Sequence, residues 1–126
     1  MKYLISGLMM LASGQVMADI KTEQNYPACD LETQRNVSET GTRITDPLEA
    51  HISLRIDILQ ADISTARKAR ILTQAQADKL WQSASRVRNE TAHFVKQQGF
   101  LSAAERASYD RELDDIAIKF CGKIEG

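Results

Sequence analysis

Three stretches of this sequence each carry a full start signal for a helix, and together they leave room for little else. Asp46-Pro47-Leu48-Glu49 offers an acceptor for the orphan amides, proline at the first helical position, and a glutamate at N3 placed to reach back. Thr73 to Gln76 and Ser102 to Glu105 are capping boxes of the same design. Behind each start runs an apolar stripe at three- and four-residue spacing. The first is Leu48, Ile52, Ile56, Leu59, Ile63 and Ala66, widened by Leu54 and Ile58, ending near Arg70. The second is Ala77, Leu80, Ala84, Val87, Thr91 and Phe94, flanked by Trp81 and Val95 and stopped by Gly99. The third is Arg106, Tyr109, Leu113, Ile116 and Phe120, running to Gly122. Connections this short set successive helices antiparallel. The expected fold is all-α: an antiparallel three-helix bundle over 47–126 with an N-terminal arm over 19–46.

The first eighteen residues stand outside that fold. Lys2 precedes a run from Tyr3 to Ala12 with only Ser6 polar, and Val16-Met17-Ala18 presents small residues where a signal peptidase reads. So short an apolar run cannot span about 30 Å of hydrocarbon. Residues 1–18 are therefore expected to be a signal peptide. Gln15 stands where a lipoprotein would carry its lipidated cysteine, so no membrane anchor is expected. The expected location is the periplasm.

Cys29 and Cys121 lie near the two ends of the remaining chain. An even, small number of cysteines in an exported protein reads as a disulfide, and a redox or metal pair would prefer C-x-x-C spacing. The bond is expected to tie the arm to the last helix. Cys29 then lies at one end of the bundle, and residues 30–46 must travel its length to reach Asp46. As helix those seventeen residues reach about 25 Å, and extended about 55 Å. One or two helical turns after Pro27, followed by extended chain, are expected, anchored by Leu31, Val37 and Ile44.

Charge excludes some functions. Sixteen Lys+Arg against 17 Asp+Glu give a net charge of −1, which argues against a nucleic-acid partner bound through a basic surface. The chain has no nucleophile elbow, phosphate loop, dinucleotide fingerprint or obvious catalytic triad, so an enzyme is not expected. One constellation could hold a metal ion. Pairing across the Arg70–Gln74 connection puts His51 and His93 at one height, and Glu90-Thr91-Ala92-His93 is an E-x-x-H presenting carboxylate and imidazole on one face. Asp110 falls near the same height. Two half-exposed histidines in ordinary hydrogen bonds are the simpler reading, so no cofactor is expected and a metal on His51, Glu90 and His93 is the alternative. Trp81, Phe100 and Tyr26 can form an exposed apolar recognition patch. Asp110, Glu112, Asp114 and Asp115 read as a solvated acidic face, and Arg67-Lys68-Ala69-Arg70 as charge suited to a helix C-terminus.

Leu72-Thr73-Gln74-Ala75-Gln76 resembles the motif of the LTxxQ periplasmic family (Spy/CpxP-like envelope-stress proteins), and Leu101-Ser102-x-x-Glu105 looks like a second copy. The resemblance implies a small exported helical protein that shields unfolded clients or reports envelope stress, with some members sensing metals. It implies structural roles for Leu72, Thr73, Gln76, Leu101, Ser102 and Glu105. The functional expectation is thus an exported binding protein with a protein partner, of the envelope-stress or chaperone-like adaptor kind. The alternatives are an inhibitor or immunity protein bound to one exported enzyme, and a periplasmic metal sensor.

Overall fold

The computed structural model describes residues 25–38 and 43–126. The signal-peptide reading of 1–18 lies outside the described residues, as does part of the arm. A 3-10 turn over Pro27–Cys29 leads into α1 (Leu31–Arg35), followed by α2 (Pro47–Lys68), α3 (Gln74–Gln98) and α4 (Ala103–Glu125). The architecture is all-helical, with α2, α3 and α4 as the antiparallel bundle and the arm laid against it. Gln60 hydrogen-bonds Ser85 and Arg88 bonds Asp57, the register expected across the α2–α3 connection.

The helix ends form by local chemistry. Thr73 and Gln76 exchange side-chain and backbone hydrogen bonds at 2.9 and 3.1 Å, and Ser102 and Glu105 do the same at the same distances. Leu72 and Leu101, just outside these caps, are 2 % and 1 % exposed and seal two ends of the core. Asp46 accepts from the Glu49 amide, but Glu49 does not complete the expected box. Its carboxyl is held above the usual range by burial and then by the charge of Asp46. Helix α4 runs past Gly122 to Glu125, beyond its expected stop. Gly99 takes φ +88° at the end of α3, where a side chain would be strained.

The same left-handed position after α2 is filled by Arg70, at φ 62°. The Ile71 amide bonds the Ala66 carbonyl and the Arg70 amide bonds the Arg67 carbonyl, so the helix closes in a Schellman motif without glycine. Left-handed backbone costs a non-glycine residue roughly 1–2 kcal/mol, part of which glycine's greater unfolded freedom offsets. Arg70→Gly is expected to raise stability by about 0.5–1 kcal/mol. A urea melt checks it, and an unchanged or lower midpoint would contradict it.

The core follows most of the expected stripes, Phe94 and Arg106 standing outside it. Ile52, Ile56, Ile63, Val87, Leu113 and Phe120 are essentially inaccessible. Phe94, expected in the stripe of α3, is exposed, with its ring 6.5 Å from Tyr109. Tyr26, expected in a surface patch, is instead buried edge-on against Phe120 at 5.6 Å, because the arm folds over the open end of the bundle.

Cys29 and Cys121 are joined, with Cα atoms 5.9 Å apart. Beside the bond the Ala28 amide donates to the buried Asp62 carboxylate at 2.8 Å. Burial pushes that carboxyl up, and the hydrogen bond partly offsets the shift. At the other end the Asp46 carboxylate also accepts from the Leu101 amide at 3.4 Å. The arm therefore runs from the C-terminal end of α4 to its N-terminal end, as the disulfide requires.

Candidate functional site

The most concentrated chemistry lies where the arm crosses the α2–α4 seam. Arg55, on the apolar side of α2, is 3 % exposed. Its guanidinium reaches two carboxylates one turn apart on α4, Asp110 at 3.0 Å and Asp114 at 2.8 Å. Asp110 also meets His51 Nε2 at 2.8 Å, while His51 Nδ1 lies 2.7 Å from the Val37 carbonyl oxygen. Asp114 takes a second guanidinium, that of Arg35 on α1, at 2.9 Å. Arg106 donates to the Arg35 carbonyl at 2.8 Å. Its Nε sits 3.4 Å from Asp110 but too poorly aligned to bond. Six side chains from α1, α2 and α4 thus close one ionic cluster, and two of its contacts grip the arm's backbone.

The energies within this cluster are uneven. Arg35 is largely exposed, so its pair with Asp114 is worth little. Arg55 is buried, and its loss would leave two desolvated carboxylates with one hydrogen-bonded partner each, His51 for Asp110 and the exposed Arg35 for Asp114. Burial pushes the Asp110 carboxyl up, but hydrogen bonds from His51 and Arg55 and their charges outweigh burial and hold it below the usual range. The cluster contradicts the reading of Asp110 and Asp114 as part of a solvated acidic face. Glu112 and Asp115 lie further out, whereas Asp110 and Asp114 turn in. The sequence held two halves of a signal, an arginine in the phase of an apolar stripe and two aspartates at i,i+4 on another helix, with nothing to pair them.

The metal reading does not survive this geometry. Among the described residues no group of three or more His, Cys, Asp or Glu side chains could hold a metal ion. Both ring nitrogens of His51 are already engaged, one with the Val37 carbonyl and the other with Asp110. Glu90 and His93 do share an open depression of about 540 Å³ on the outer side of α3. There Glu90 is bound to Arg86 at 2.6 Å and accepts from the Tyr109 hydroxyl at 3.4 Å, and His93 is exposed beside Phe94. The Tyr109 hydroxyl is pushed up to about 12 by burial, then by Glu90 and Glu112, so it remains a donor. Equal height on neighbouring helices did not mean a shared face.

Trp81 and Phe100 are 43 % and 53 % exposed. Ile71, Phe94 and Ile118 are the other large apolar side chains standing out among the described residues. No helix of the described residues is long and apolar enough to cross a membrane. The fold and site define a disulfide-closed helical bundle whose arm is held by a buried ionic cluster and whose outer faces carry isolated large apolar side chains. No family model, curated protein or solved structure matches this chain.

Proposed function

We propose that this chain is an exported periplasmic binding protein that acts on other proteins rather than catalysing a reaction, with an envelope-stress or chaperone-like role. The supporting observation is the exposure of Trp81 and Phe100 on a frame fixed by a disulfide and an ionic cluster. Exposed aromatics anchor protein interfaces, since they supply large contact area at small entropic cost. The disulfide suits an oxidising, exported compartment. The capping-box resemblance to LTxxQ-motif proteins points the same way.

A dedicated inhibitor or immunity protein is the second reading, and the rigidity of the frame favours it. A preorganised surface loses little freedom on binding and suits one tight partner. Aggregation assays with a reduced, unfolding client separate the two. An adaptor suppresses aggregation at near-stoichiometric ratios, and Trp81→Ser with Phe100→Ser removes most of that effect while the melting curve holds. An inhibitor leaves aggregation untouched and retains one exported protein tightly. A chain that does neither overturns both readings.

A further inference from the structure

A trough of about 360 Å³ runs between the N-terminal half of α3 and the C-terminal half of α4. Leu80 and Ile116 lie along it, flanked by Gln76 and Ser83, and Lys79, Lys119 and Lys123 line it as its charged side chains. No acidic residue among the described residues lines it. None of the three lysine side chains makes an ion pair or hydrogen bond among the described residues, and the trough groups all three around its apolar side chains. Lys123 has a local reason to be there, at the negative end of α4. Lys79 has no such reason, since it lies in the second turn of α3, near the positive end of that helix.

The trough is two turns long on each wall: residues 76, 79, 80 and 83 of α3 face 116, 119 and 123 of α4. Two turns is the length over which an amphipathic helix sets anchors at i, i+3 or i+4, and i+7. Three like charges left unneutralised around an apolar strip repel one another and favour an anionic occupant.

We infer that this trough receives an acidic amphipathic helix of a partner protein. The helix packs apolar side chains on Leu80 and Ile116 and sets Asp or Glu against Lys79, Lys119 and Lys123. The partner helix makes a fourth member of the bundle over those two turns. This inference rests on the reading of the chain as a protein-binding module and names the chemistry of one partner surface.

The test uses two fluorescein-labelled sixteen-residue peptides with identical leucine anchors at i, i+4 and i+7, one with glutamate at the flanking positions and one with lysine. Fluorescence anisotropy with the oxidised full chain is expected to show saturable binding of the glutamate peptide and none of the lysine peptide. In K79E/K119E/K123E the affinity should fall roughly tenfold or more, as three exposed pairs become repulsions. The lysines are exposed, so the melting curve of that variant should stay within a few degrees of the wild type, the change coming from the loss of Lys123 at the negative end of α4. Equal binding of both peptides, binding indifferent to charge reversal, or no binding of the glutamate peptide overturns the inference. So does lysine-dependent binding of dodecanoate in place of the peptide, which would make the trough a site for small amphiphiles. A chain that suppresses client aggregation or retains one partner yet ignores the glutamate peptide loses only this inference. A chain that does none of these loses the binding reading as well.

Discussion

Replacing Arg55 by Met should lower stability by about 3–5 kcal/mol, the usual cost of removing one member of a buried ion pair. At roughly 4–8 °C per kcal/mol for a domain of this size, thermal unfolding should shift down by well over ten degrees. The reason is specific to this fork: Asp110 and Asp114 keep their burial and lose the one buried guanidinium they share. Removing the carboxylates as well should restore much of the loss, so Arg55→Met with Asp110→Leu and Asp114→Leu should melt above Arg55→Met alone. Acid provides a second readout. The Asp110 carboxyl is held low in the folded protein, so its contribution is fully present above the unfolded value near pH 4 and is lost as pH falls through the folded one. The urea midpoints of wild type and Arg55→Met should therefore lie far apart at pH 7 and draw together below about pH 4. A constant gap down to pH 2, or no gap at pH 7, would show that the cluster does not carry this stability.

The second large effect belongs to the disulfide. Cys29→Ser should cost about 2–5 kcal/mol, the chain-entropy model giving between 4 and 5 as an approximate upper value for a loop this long. Reducing agent should move the wild-type melting curve by the same amount and leave the variant unchanged. The remaining arm contacts, among them Ala28 to Asp62, Val37 to His51, Arg35 to Asp114 and Tyr26 to Phe120, hold the arm in the folded state but do not restrict the unfolded chain as the bond does. If wild type and variant melt together, the bond is not a staple.

The helices were legible because their signals are local. A cap, a proline at the first turn and an apolar stripe act within a few residues, so Asp46, Thr73 and Ser102 mark helix starts without knowledge of the rest of the chain. The arm's path followed from one long-range constraint, the pairing of the two cysteines. The ionic cluster could not be read in this way, since Arg55 and Asp114 acquire meaning only from each other across two helices. Charged residues are counted outside by default, and Asp110 and Asp114 break that default only because an arginine is buried opposite them. His51 and His93 show the complementary failure. Register gave their height and said nothing of the direction in which each ring turns. Phe94 illustrates the same limit, since a stripe wider than its partners leaves its edge in water.

The bond between Cys29 and Cys121 makes nearly the whole folded unit a closed ring of main chain. Both helix–helix turns, at 69–73 and 99–102, lie inside that ring. A protease that cuts once at either turn opens the ring without releasing a fragment, and the two pieces remain one molecule. Such a molecule has new termini at the turn and its old ends joined, which makes it a natural circular permutant of the bundle. Damage that would divide an uncrosslinked bundle of this size leaves this one whole until a second cut is made.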